Sequence, residues 1–292
     1  MRTHVRTLFI AATLALLVIM PVSTASAQLI AEGPVVNGHH HLTVTNADAS
    51  RRFWVDALGG VPDTFGGRTP IVKFPNALVF LGTGKPSAGS KGSTVDHVAF
   101  SVRDLRQVVN RIKAGGFQMV TSSEAPPNIP VKDDIGVVEG TGPVSGIAYA
   151  LDPDGVKVEL VEMKAQSVPI SSHHLHFFGP NHKEMQAWYM KVFGAAETAS
   201  ANPAAFVSAG LPGLGMNFST SQTPVAGTRG RALDHIGFEV KDLEAFTKRL
   251  EAQGITLDVP YRSVPAVGLS IAFITDPWGT YIELTEGLSA IK

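Results

Sequence analysis

Short stretches in which apolar and polar residues alternate recur four times along the chain, and each leads into a segment with helical spacing. The first stretch, His39–Val44, precedes a helical segment at Ala49–Leu58. The others begin at His97, His174 and His235 and lead to Leu105–Ala114, Lys183–Phe193 and Leu243–Gln253. Glycine follows each helical segment as a stop signal. Behind the helices come pairs of short strand-like runs: Ile71–Phe74 with Ala77–Leu81, Ile147–Leu151 with Lys157–Val161, Ala205–Ser208 with Gly215–Ser219, and Ser270–Ile274 with Tyr281–Thr285. The predicted unit is βαβββ, four times over. The Pro-rich stretch Ala125–Pro143 exceeds its counterpart near Tyr261–Val267 and reads as an inserted loop or lid, and Ala165–Pro169 reads as a linker.

The four units form two copies. Lys85–Gly92 and the following Asp96-His97 align without gaps on Thr223–Gly230 and Asp234-His235, and the match continues through Val98–Leu105 against Ile236–Leu243. Asp152-Pro153-Asp154-Gly155 is likewise matched by Asp276-Pro277-Trp278-Gly279.

Residues 1–27 stand apart. Arg2 and Arg6 precede an apolar run from Leu8 to Met20, and the stretch ends Ala25-Ser26-Ala27, the pattern of a secretory signal peptide. The run is short for a bilayer span. The expectation is a mature chain from Gln28, periplasmic or secreted and without a membrane anchor, with copies at 28–164 and 165–292. A net charge of −1 and 17% charged residues give no footprint for nucleic acid. The absence of cysteine excludes disulfides, thiolate zinc sites and cysteine nucleophiles, leaving imidazole and carboxylate as metal ligands.

The His-x-x-hydrophobic-x-Val-x-(Asp/Asn) strands at His39–Asn46, His97–Asp104 and His235–Asp242, with the looser His174–Asn181, resemble the vicinal oxygen chelate superfamily of glyoxalases, extradiol dioxygenases and bleomycin-resistance proteins. So do the Asp-Pro-x-Gly turns, each followed by a strand carrying Glu159 or Glu283. The resemblance spans roughly residues 37–287. It implies an α+β fold in which four βαβββ modules pair into two cupped mixed β-sheets, each around one metal.

Of the 10 histidines, all but His4 and His182 fall in the module-opening strands. Alternation puts His39 and His41 on the cupped face with His40 turned away, and His174 and His176 on one face with His173 on the other. Under the resemblance, each copy offers two histidines and a glutamate: His39, His97 and Glu159 in the first, His174, His235 and Glu283 in the second. Such a set leaves positions open on a divalent metal, with Fe(II) favoured and Mn, Zn or Ni as alternatives. His41, His176 and Tyr149 are expected as acid–base or substrate-contacting groups, while His40, His173 and His182 are expected to be structural or exposed. Phe53-Trp54 and Trp188-Tyr189 read as core.

The expected partner is a small molecule chelating through adjacent oxygens, and oxygenation is the leading reaction. A glyoxalase-like isomerase or lyase would need a second carboxylate per cup, where family spacing finds Val79 and Asn217. A standard catechol dioxygenase would keep a histidine near Val264 and Pro265 and a tyrosine at Phe273. Binding without turnover is the third reading.

Overall fold

The computed structural model describes Leu29 and residues 32–291; the predicted leader at 1–27 lies outside them. The first module holds strands β1 (Val35–Val44), β2 (Val61–Phe65), β3 (Thr69–Phe74) and β4 (Ala77–Thr83). The second holds β5 (Val95–Val102), the short β6 (Gln118–Met119), β7 (Val131–Lys132) and β8 (Ile135–Val137), then β9 (Gly146–Leu151) and β10 (Lys157–Glu162). The third has β11 (Ile170–Gly179), β12 (Ala196–Thr198), β13 (Phe206–Leu211) and β14 (Leu214–Thr220), and the fourth β15 (Leu233–Val240), β16 (Leu257–Val264), β17 (Leu269–Thr275) and β18 (Tyr281–Glu286).

Two mixed sheets result, but the modules pair crosswise. One sheet runs β16-β17-β18-β15-β1-β4-β3-β2 and joins the first module to the fourth; the other, centred on β14-β11-β5-β10, joins the second to the third. The sequence-based expectation of two consecutive cups, first with second and third with fourth, is therefore corrected to an outer cup and an inner cup. The repeated Gly-rich connectors of the two halves meet at this junction. Ser87 N–H donates to Gly230 O at 2.8 Å, Ala232 N–H donates to Ala88 O at 2.8 Å, and the Arg231 guanidinium reaches Gly89 O and Lys91 O, each at 2.9 Å. Each connector also docks on the Asp-Pro-x-Gly turn of its own half, Ser90 N–H on Gly155 O and Thr228 N–H on Gly279 O, both at 3.0 Å. A β-carbon at Gly89 would collide with the Gly155 carbonyl, and one at Gly227 with that of Gly279, so both positions require glycine.

The helices are α1 (Ala47–Arg51), which continues as a π-helical turn to Ala57, α2 (Leu105–Ala114), the short α3 (Thr121–Glu124), α4 (His182–Phe193) and α5 (Leu243–Ala252). Among the described residues no helix is long and apolar enough to cross a membrane. Four of them start at the last residue of the strand motif: the side chains of Asn46, Asp104, Asn181 and Asp242 each accept an N–H of the first turn. One apolar core on the helix side draws on all four modules, with Trp54, Phe100, Phe193 and Phe238 buried in it. Each such side chain contributes about 1.5–3 kcal/mol by leaving water. The core also locks the modules of one copy together, because the Trp54 indole donates to Asp152 at 3.3 Å and the Tyr189 hydroxyl donates to Asp276 at 2.9 Å. Phe53, Trp54 and Tyr189 are buried, and Trp188 packs partly buried beside them.

The stretch 125–143 is less of a loop than its prolines suggest. Its β7–β8 hairpin adds to the sheet beside β9. Its counterpart is the full edge strand β16, closed by a 3-10 turn at Pro265–Val267.

Candidate metal centres

Each cup carries its ligand-type side chains on the central strands. In the outer cup β1 and β15 run antiparallel with His41 opposite His235, while β18 runs parallel to β15 with Glu283 beside Gly237. His39 Nε2 and His235 Nε2 lie 2.9 and 3.0 Å from the same Glu283 oxygen, Oε2. The His39 ring occupies the space beside Gly237, where any β-carbon would strike it. His41 stacks on His235 with ring centroids 4.4 Å apart.

The inner cup repeats the plan. His97 opposes His176 across β5 and β11, and Glu159 Oε2 lies 3.0 Å from His97 Nε2 and 3.1 Å from His174 Nε2. The Tyr149 hydroxyl donates to the other Glu159 oxygen at 3.0 Å. The two groups are thus His39, His41, His235 and Glu283, and His97, His174, His176 and Glu159, with ligand atoms within 4.8 Å of one another in each. All six residues expected as ligands reach a cup, but the triads regroup: His39 joins His235 and Glu283, and His174 joins His97 and Glu159. That regrouping follows from the crossed strand pairing.

The electrostatics fit a cation. Burial alone would raise the Glu159 carboxyl, but the approach of His174 and His97 outweighs it and holds the group well below the usual range; His235 and His39 do the same for Glu283. Burial would likewise lower His97 and His235, yet Asp96 with Glu159, and Asp234 with Glu283, raise them. Each cup centre is therefore a carboxylate facing imidazoles. His174 Nε2 is buried close to Glu159 but has no aligned hydrogen bond, as a ligating nitrogen requires. Two or three imidazoles and one carboxylate suit a borderline divalent ion.

Asp96 and Asp234 join the site as well, and the signal for them in the sequence is the Asp-His dipeptide that occurs in both copies. Each carboxylate sits on the Nδ1 of the following histidine, at 2.8 Å for His97 and 2.7 Å for His235, which fixes the ring and turns Nε2 to the centre. Asp96 is in turn paired with Lys157, which also contacts Glu124 at 2.9 Å.

The remaining histidines divide as alternation predicts. His40 faces away from the cup, fully buried against Phe100 with Nδ1 unpartnered, and burial followed by His39 lowers it to about 3. Burial and His174 lower His173 to about 4, and its Nδ1 lies 2.8 Å from that of His174. His182 is hydrogen-bonded to Thr220 at the surface. His41 is lowered to about 3, first by burial and then by His235, while His176 Nε2 is held by Ser219 Oγ at 2.8 Å. Val79, the spacing-based candidate for a second carboxylate, is buried off the cup face; Phe80 takes the place beside His41, as Asn217 does beside His176.

Residues 171–284 match the family model described as "Glyoxalase/Bleomycin resistance protein/Dioxygenase superfamily". That stretch contains the third and fourth modules, which here sit in different cups. Among solved structures, glyoxalase I from Zea mays aligns at 16% identity over 88% of this chain and 94% of its own, with a TM-score of 0.66. A Bacillus subtilis protein of provisional dioxygenase designation aligns at 13% identity over 88% of this chain and 87% of its own, with a TM-score of 0.61. Both likenesses concern the fold. No curated protein matches the chain by sequence.

Proposed function

We propose, from the match of residues 171–284 to the Glyoxalase/Bleomycin resistance protein/Dioxygenase superfamily, that the chain is a divalent-metal-dependent oxygenase of a small molecule bearing adjacent oxygens. The observation that carries the proposal is the inner cup's donor set, in which one carboxylate and imidazoles from two modules meet on one face beside a tyrosine hydroxyl. His97, His174 and Glu159 would hold the ion, with His39, His235 and Glu283 as the second set. A bound Fe(II) would supply Lewis acidity toward vicinal oxygens and a redox centre for O₂.

The chain's own residues do the rest. Glu159 brings the only carboxylate charge of the inner donor group, so a ligand anion is not repelled by a second one. Burial, then the Glu159 charge, pushes the Tyr149 phenol above its ordinary range, so its proton stays on the hydroxyl, where it is donated to Glu159 and fixes that carboxylate while the phenol oxygen is left to accept from a ligand hydroxyl. Burial with His97 and His174 keeps His176 neutral, and Ser219 fixes its ring, so it presents an uncharged imidazole to a bound ligand. Isomerisation of the glyoxalase type is disfavoured because Phe80 and Asn217 stand where a second carboxylate would be needed.

Anaerobic loading with Fe(II), followed by an oxygen electrode and a panel of catechols and enols, tests the reading. Oxygen uptake that vanishes in Glu159→Ala is expected. An anaerobic isomerisation with no oxygen uptake would overturn it. Export belongs to the same proposal: the mature chain begins at Gln28, and the intact mass of protein recovered outside the cytoplasm checks it.

A further inference from the structure

The two cups share a donor plan and a strand register, so their walls can be compared position by position. Opposite the glutamate stands Tyr149 in the inner cup and Phe273 in the outer. Beside the second histidine of the opening strand stands Asn217 in the inner cup and Phe80 in the outer. Opposite that residue stands Ser208, whose hydroxyl donates to Asn217 Oδ1 at 2.8 Å, against Ile71. Ser219, which holds His176, is matched by Gly82, where His41 Nε2 crowds the space a side chain would need. These four differences run the same way; the exception in the same row is Phe178, stacked on His176 in the inner cup where the outer cup has Thr43. The outer wall is moreover filled by the chain itself, since Leu29 and Leu288 are buried in one apolar cluster with Ile71 and Phe80.

We infer that the cups differ in ligand chemistry: the inner cup takes a small ligand that is polar beyond its chelating oxygens, and the outer cup excludes it. Asn217 is the specificity-determining residue, offering its amide N–H to hydroxyl or carboxyl groups on the carbon skeleton, while Ser208 fixes that amide by donating to its Oδ1 and Ser219 fixes His176. A polar ligand in the outer cup would leave those groups unpaired against Phe80 and Ile71, a penalty that aromatic and aliphatic walls impose on any buried polar group. The inference rests on the metal reading of both cups.

The test uses the full chain loaded with Co(II), whose absorption reports changes in its ligand set, and tartrate as the probe, read by equilibrium dialysis. One tartrate per chain is expected, kept in Glu283→Ala and lost in Glu159→Ala. Asn217→Leu should weaken tartrate by about tenfold, the value of a lost hydrogen bond to a charged or polar ligand, without changing metal content. Ser208→Ala, a smaller change that spares the fold, should weaken it in the same direction. Tartrate retained in Glu159→Ala but lost in Glu283→Ala, or binding indifferent to both wall variants with metal in place, overturns the division of the cups. Cobalt content that responds to neither glutamate overturns the metal reading itself, and the inference with it.

Discussion

His40 shows how much a single buried imidazole can tie stability to pH. Its folded pKa near 3 lies below the unfolded value of 6.5, so the unfolded chain takes up the proton first as the pH falls. It therefore costs nothing above 6.5 and destabilises increasingly below it, by on the order of 2 kcal/mol at pH 5. His40→Leu, which also removes the unpartnered Nδ1, is expected to raise the urea midpoint at pH 5 well beyond any rise at pH 8. Equal shifts at both pH values would show that the imidazole titrates normally. At this scale the sequence was a good guide, because strand alternation has a period of two and needs no partner to be read. It puts His39 and His41 on one face and His40 on the other. Asp96 and Asp234 are not legible in this way, because alternation puts an aspartate and the histidine next to it on opposite faces, yet each carboxylate reaches the Nδ1 of that histidine.

The helices and opening strands were legible for a local reason. The Asp or Asn that ends the strand motif is a helix cap, and the capped amide belongs to the residue three positions on, so the signal lies within one turn. Asp242→Ala is expected to lower the stability of the chain by about 1 kcal/mol in urea unfolding, and Asp242→Asn by far less, since the amide oxygen still accepts the Ala245 N–H. Equal losses would mean that charge rather than the cap supports α5. The edge elements were harder. Residues 125–143 carry turn-forming composition, and their strand pairing depends on the sheet edge that β9 presents.

At the scale of the whole molecule, the module partners cannot be read from a repeat, because two similar halves permit consecutive or crossed pairing with the same local patterns. Paired variants distinguish the two. His39→Ala with Glu283→Ala damages only the outer cup, so about one metal per chain should remain. His39→Ala with Glu159→Ala damages both cups, so metal analysis should find nearly none. Consecutive pairing would give the reverse. The crossing has a further consequence for how the chain reaches this state. Glu159 and His174 stand on consecutive strands, whereas His39 and Glu283 are 244 positions apart. Closing the longer loop costs roughly 2–3 kcal/mol more in chain entropy before any contact offsets it. Synthesis runs from the N-terminus, so the pairs nest like brackets: the inner one closes while the outer one is still open. The first strand made can pair early with β4 of its own module, but its other edge waits for β15, and until then that unpaired backbone edge is open to the wrong module or to a second nascent chain.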